Sequence, residues 1–322
     1  MTKILITGGL GFIGSNLARR LVIEGHEVTI VDSLIPEYGG NMYNIFDLRD
    51  KLRVNISDIR DPFSLRELLR DIDIVFNLAG QTSHADSMTD PMTDLDINAK
   101  AQLSLLEAVR EACPDAVVVF ASTRQIYGRP QYLPVDENHP IRPVDVNGVN
   151  KVAGEQFHLL YHDVYGIKTV ALRLTNTYGP GMRIKDARQT FLGIWIKNIL
   201  SGQPICVFGD GLQKRDFNYV DDVVDAMIKA SRSPSCFGHA FNLGGKIAYP
   251  LTEVAEKMTQ LVPESSWNLV EFPAERKKID IGDYYGDYVL ASKLLGWDPC
   301  TGLDQGLEKT ICYYKDNISY YL

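Results

Sequence analysis

The residues with the clearest chemical reach lie in the middle of the 322-residue chain. Asn147 and Lys151 are four positions apart, one helical turn, so on a helix they share a face. A lysine on that face pointing into a cleft can hold ribose hydroxyls and lower the pKa of its neighbours through its charge, whereas an isolated one is a solvated surface residue. Upstream, the run FASTRQIYG places the Thr123 hydroxyl at the end of a strand-like segment, where it can hydrogen-bond a substrate oxygen.

A second constellation opens the chain. In KILITGGLGFIGS, Gly8, Gly11 and Gly14 each remove a Cβ, for a tight turn, a close backbone approach and close packing of helix on strand. The helix N-terminus beyond them offers unpaired N–H groups, an anion site. The run HEVTIVD ends in Asp32, placed either to hold adenosine ribose hydroxyls and repel a 2′-phosphate or to cap a loop with Ser33; the first reading selects NAD over NADP. Asp58-Ile59 follows a third strand-like run, where an acid can accept from the adenine amino group and an apolar neighbour can cover the ring. The turn Asn77-Leu78-Ala79-Gly80-Gln81 has residues small enough for a dinucleotide to cross. Each of these two is otherwise a plain loop.

The elements that must position these groups alternate. Apolar runs at Ile4–Ile6, Val28–Val31, Leu52–Val54, Ile74–Leu78, Ala116–Ala121 and Thr169–Leu174 are separated by stretches of helical period such as Pro62–Arg70 and Ala99–Ala112. This predicts a Rossmann-type α/β fold with a doubly wound parallel sheet. The Leu103, Leu106, Val109 stripe belongs to the core or to a dimer face. Past Tyr178 the elements shorten, and an aromatic-rich tail follows. The expectation is a cofactor domain at 1–177, rejoined by a segment near 216–242, and a smaller α/β substrate domain at 178–215 and 243–322. Val220–Ala230 reads as an amphipathic helix with Asp221 and Asp222 in its first turn.

Composition narrows the class. The net charge is −8, and the basic residues are scattered, so no stripe suits a nucleic-acid backbone. Five cysteines without a CxxC pair argue against a disulfide framework and a zinc site. No apolar run approaches the ~18 residues of a membrane span, and strand-like sequence starts within three residues of Met1, leaving no signal peptide. The expected location is the cytoplasm.

Together these motifs resemble the extended short-chain dehydrogenase/reductase superfamily, in its NAD-dependent nucleotide-sugar epimerase/dehydratase branch. The glycine loop is similar to TGGxGFIGS; Asp32, Asp58, NLAGQ, Asn98, the ST…IYG segment, LTNTYGPG at 174–181 and GDGLQKRDFNYVDDVV at 209–224 follow in family order, over roughly residues 3–300. The resemblance implies tightly held NAD that takes a hydride from a sugar carbon, usually C4, to give a keto-sugar that is epimerised, dehydrated or released oxidised. It implies a homodimer formed through helices at Ala99–Ala112 and Asn147–Tyr165. The implied cofactor contacts are Gly8, Gly11, Phe12, Ile13, Gly14, Asp32, Ser33, Asp58, Ile59, Leu78, Ala79, Gln81, Asn98, Lys151 and Leu174. The implied substrate contacts are His84, Thr123, Arg124, Asn176, Arg188, Arg215 and Asp283, with no metal.

Three departures matter. The catalytic set is Thr123, Asn147 and Lys151, with Asn147 where the family's YxxxK motif has its tyrosine, and an amide accepts no proton near neutral pH. Either another group or a water relays the proton, with Lys151 and His84 among the candidates, or the reaction is slow or one-way, or the protein binds without turnover; a working enzyme is the favoured reading. Arg124-Gln125 replaces the Asp-Glu pair of the 4,6-dehydratases, which leaves an epimerase first and a net 4-dehydrogenase second. Asp280 stands where a diphosphate-binding arginine is expected, and Arg183, Lys185 or Arg188 could substitute. Arg215 either grips the diphosphate or pairs with Asp216.

Overall fold

The computed structural model describes residues 1–188 and 190–322. Strands β1 (Lys3–Thr7), β2 (Glu27–Asp32), β3 (Arg53–Ile56), β4 (Ile74–Asn77), β5 (Val117–Thr123) and β6 (Lys168–Leu174) match the apolar runs. After them come β7 (Asn176–Tyr178), β8 (Ile205–Phe208), β9 (Lys214–Tyr219), β10 (His239–Leu243), β11 (Ala248–Pro250) and β12 (Trp267–Val270). Seven strands form one parallel sheet in the order β10-β6-β5-β4-β1-β2-β3. The order reverses between β1 and β4, and the crevice beyond their carboxyl ends is where such sheets bind ligands.

Both faces of this sheet are covered, which is why its strands are apolar on consecutive residues. Ile4 and Ile6 of β1 point into one core, with Leu17 and Leu21 of α1 (Phe12–Ile23), while Leu5 between them points into a second core. That second core is closed by Leu65 of α2 (Pro62–Leu68) and by the longer helix that follows a connected run of short ones, α3 (His84–Thr89), α4 (Pro91–Leu95) and a π-helical turn at Asp96–Lys100. The run continues into α5 (Ala101–Ala112), which packs with α6 (Val146–Tyr165). Leu106 and Val109 are buried there, whereas Leu103 is 36% exposed, so the stripe divides between core and surface.

Beyond β6, α7 (Phe191–Leu200) precedes a smaller region, in which β7, β9 and β11 make one sheet and β8 pairs with β12. Within the stretch expected to return to the large sheet, residues 216–219 belong instead to β9, paired with β7 and β11. The return itself is made by α8 (Val220–Arg232), whose Val223 and Met227 join the core that α1 faces, and by β10 on the sheet edge. The last residues of the tail turn back: Tyr320 stacks on Tyr43 with ring centroids 3.8 Å apart, beside the first strands rather than in the smaller region. No described helix is long and apolar enough to cross a membrane, and the five cysteines are free thiols.

Candidate functional site

The glycine turn has no room for side chains. Gly8 has φ +69°, and a Cβ there would lie 2.9 Å from Ala79 N; a Cβ at Gly14 would lie 2.4 Å from Gly8 O. Thr7 fixes the two strand exits to each other, its Oγ1 donating to Asn77 Oδ1 at 2.9 Å and accepting from Leu78 N and Ala79 N at 3.1 Å each. From this turn opens a cavity of about 720 Å³, which Gly11, Phe12, Ile13, Leu78 and Ala79 help to line.

At the end of β2, Asp32 accepts from Leu10 N at 3.0 Å and Leu34 N at 2.8 Å, and burial still raises its pKa above the usual carboxylate range. Ser33 lines the cavity next to it. Asp58 is gripped by Arg60, through Oδ1 at 3.0 Å and Oδ2 at 2.6 Å; this hydrogen bonding holds its carboxyl below the usual range. The buried Ile59 and the half-buried Leu174 complete this part of the wall. A glycine cradle closed to any Cβ, an N-terminal helix turn and an acid at the second strand's end fit a dinucleotide.

Lys151 reaches the same cavity from α6. It is buried, donates from Nζ to Ala121 O at 3.2 Å and lies 5.1 Å from the Phe120 ring centroid. Burial pushes its pKa down to about 8, against an upward pull from the charge of Asp94. Gly80 allows this approach, since a Cβ there would sit 3.0 Å from both Lys151 Nζ and Asn98 Oδ1.

Asn147 is engaged as a donor. Its Nδ2 reaches Gln81 O at 2.8 Å and Asp94 Oδ2 at 3.0 Å. Asp94 is fully buried and also accepts from Asn98 Nδ2 at 3.0 Å and Asn150 Nδ2 at 2.8 Å. Three amides therefore solvate one buried carboxylate, and they come from two helices. Sequence reasoning missed Asp94 and Asn150; the available signal was Asp90-Pro91 opening a helix, with Asp94 and Asn98 one turn apart on it. Asn98 does not line the cavity but lies behind Gly80, its Oδ1 buried without a partner.

His84, at the start of α3, does line the cavity. Its Nδ1 is 3.0 Å from Asp145 Oδ2, close enough for charge pairing but outside hydrogen-bond alignment. Asp145 is the N-cap of α6, accepting from Gly148 N at 2.7 Å and from Gln125 Nε2 at 2.8 Å. Burial raises its pKa, but His84 and these hydrogen bonds lower it further, so the net direction is down. Thr123 at the end of β5 accepts from Gln125 N at 3.2 Å, so threonine, glutamine, aspartate and histidine form one linked wall.

Next to Thr123, Arg124 Nη2 donates to Asn176 Oδ1 at 3.1 Å, and Asn176 Nδ2 donates to Asp216 O at 2.8 Å. Arg215 does not pair with Asp216, whose Oδ2 takes Gly245 N and Gly286 N; it lies 3.5 Å from Asp280 Oδ1. Burial lowers the Arg215 pKa to about 10, with Arg124 pushing the same way. Arg188 lines the cavity and pairs with Asp86 at 3.1 Å. Asp283 lies apart: it is exposed and accepts from Lys214 N at 2.9 Å, because the left-handed Gly282 turns the chain outward. Lys185 is exposed and Arg183 pairs with Asp186, so neither lines the wall. Apart from Asn98 and Asp283, every expected contact borders this one cavity. No cluster of three potential metal ligands occurs among the described residues.

The sequence profile described as "NAD dependent epimerase/dehydratase family" matches residues 4–244. The chain is 33% identical to a putative UDP-glucose 4-epimerase of Methanocaldococcus jannaschii over 98% of its length and 99% of that protein's, and 32% identical to the UDP-glucose 4-epimerase of Mycolicibacterium smegmatis, over 98% and 99%. It is also similar to the crystal structure of a UDP-glucuronic acid 4-epimerase from Bacillus cereus in complex with UDP-glucuronic acid and NAD, with a TM-score of 0.86 and 29% identity over 98% of this chain and all of that one.

Proposed function

We propose, for a chain that belongs to the NAD-dependent epimerase/dehydratase family, that it epimerises a nucleoside-diphosphate sugar at C4 through a 4-keto intermediate. What carries this reading is the convergence of the Thr123 hydroxyl, the buried Lys151 ammonium and the glycine turn on one cavity, whose wall also carries Arg124 next to Thr123 and the arginines 188 and 215. The names of the relatives, which include a UDP-glucose and a UDP-glucuronic acid 4-epimerase, support the substrate class. Residues 1–177 with about 220–242 are taken as the cofactor half, and 178–219 with 243–322 as the sugar-nucleotide half.

Bound NAD supplies a hydride acceptor that can return the hydride to the same carbon. The chain must then orient the sugar and move one proton. Thr123 orients the C4 oxygen, and Lys151 holds ribose hydroxyls. Asn147 is not the proton acceptor: its amide nitrogen is used up as a donor to Gln81 and Asp94, and an amide oxygen is too weak a base. His84 is assigned that task. Asp145 favours the tautomer with the proton on Nδ1, which leaves Nε2, without a protein partner among the described residues, to accept. A homodimer is part of the proposal, since Val149, Leu160, Val164 and Tyr165 leave an apolar strip exposed on α6.

The test is incubation of the NAD-loaded protein with nucleotide sugars in D₂O, following sugar configuration and absorbance in the reduced-nicotinamide band. Epimerisation is expected with no lasting absorbance change and no deuterium at C4. Accumulating NADH with a keto-sugar would replace the epimerase by a dehydrogenase, and no change with any sugar would leave a binding protein.

A further inference from the structure

Arg124 is a charge in the cavity wall with no ion pair among the described residues. Its neighbours in the wall have carboxylates, Arg188 in Asp86 and Arg215 in Asp280. Arg124 has none among the described residues: Nη2 goes to the neutral Asn176 Oδ1, the guanidinium lies 5.1 Å from the centroid of the Tyr284 ring, and Nη1 is buried with no partner. Burial lowers its pKa, yet a guanidinium stays charged across the whole physiological range. A half-buried cation without an ion pair and with a buried, unsatisfied N–H is costly, and an oxyanion arriving from the cavity side relieves both costs after a small turn of the terminal torsions.

Two parts of a nucleoside-diphosphate sugar can bring such an oxyanion, the diphosphate and a carboxylate on the sugar. The chain order favours the second. Arg124 directly follows Thr123, the hydroxyl assigned to the C4 oxygen, and in a pyranose C5 is bonded to C4, whereas C1 with its diphosphate lies across the ring. Resting on the proposed substrate class, we propose that Arg124 binds a carboxylate carried on C5, so that this protein takes nucleoside-diphosphate hexuronic acids in preference to neutral hexoses. The planar fork of the guanidinium suits two carboxylate oxygens, and Asn176 holds it in place for them.

The experiment is calorimetric binding to the NAD-loaded protein of UDP-glucuronate, UDP-glucose and UDP alone, with the wild type and with Arg124→Gln and Arg124→Lys. The wild type should bind UDP-glucuronate about 10- to 100-fold more tightly than UDP-glucose, the range of a charge-assisted hydrogen-bonded pair. Arg124→Gln should bring the two sugars within a few-fold of each other while leaving UDP unchanged, and Arg124→Lys should keep part of the preference. Equal wild-type affinity for the two sugars overturns the proposal, as does an Arg124→Gln variant that weakens UDP as much as UDP-glucuronate, which would make the arginine a phosphate ligand. Should Arg124→Gln not fold, the wild-type ratio and Arg124→Lys decide. Binding is independent of turnover: a retained uronate preference without epimerisation would remove the epimerase reading alone.

Discussion

In the proposed mechanism His84 takes the task of the missing phenol, while Asn147 in the phenol's place does something else. Asn147 solvates Asp94, and removing its amide leaves a buried carboxylate short of a donor, a loss of about 1–3 kcal/mol. His84 lies on the neighbouring wall with Asp145 behind it. Replacing His84 with Gln should lower kcat by about 10²- to 10⁴-fold, the usual share of a general base, while NAD stays bound. A variant that retains near-wild-type kcat would move the proton transfer to Lys151. Asp280 lies 3.5 Å from the Arg215 guanidinium, so if Arg215 holds the diphosphate, substrate must compete with an internal anion. Asp280→Asn should therefore lower KM for the nucleotide sugar several-fold with kcat nearly unchanged; a raised KM would show that the carboxylate positions Arg215 for binding.

Two elements illustrate how much of the site could be read in advance. The glycine turn was fully legible because its constraint is local: Gly8, Gly11 and Gly14 are needed within seven residues, and Gly14→Ala, which would put a Cβ 2.4 Å from Gly8 O, should abolish retention of NAD through purification. The strands were legible because alternate residues such as Ile4 and Leu5 feed two different cores. The Asp94 cluster was not, since two of its three donors lie on α6, more than fifty residues away, and no local period records that pairing. Strand β10 escaped for a similar reason, as its partner β6 lies across an entire excursion into the smaller region. Helix α6 carries another hidden group: His158 is fully buried, stacked on Phe120, with Nδ1 against Gly154 O at 2.7 Å and Nε2 3.3 Å from Asn77 Nδ2. Burial depresses its pKa from 6.5 to about 4. The unfolded chain therefore binds this proton first, and stability from His158 is complete above pH 6.5 and lost as pH falls toward 4. The difference amounts to on the order of 3 kcal/mol. Denaturant unfolding of His158→Gln should show a shallower decline across that window than the wild type; parallel curves would assign the acid sensitivity elsewhere.

At the scale of the molecule, the chain's end braces its beginning. Tyr321 donates from its hydroxyl to Asn44 Oδ1 at 2.7 Å, Asn44 Nδ2 donates to Leu10 O at 3.0 Å, and Leu10 N donates to Asp32 Oδ2 at 3.0 Å. A hydrogen-bonded path thus runs from the last residues to the turn and the acid proposed to hold the dinucleotide. The stack of Tyr320 on Tyr43 runs beside it and ends in no cofactor-site residue. The two contacts can be separated. Tyr320→Ala should lower Tm and leave NAD affinity close to wild type, because it removes packing without breaking the path. Asn44→Ala should raise the NAD Kd several-fold, because Leu10 O loses its donor and the turn gains freedom that binding must then remove. Deleting residues 320–322 should produce both effects together, with a stability loss of about 3 kcal/mol for the buried aromatic contact. If deletion lowers Tm yet leaves NAD affinity intact, the tail is packing alone, and the glycine turn is held by β1 and α1 without help from the far end of the chain.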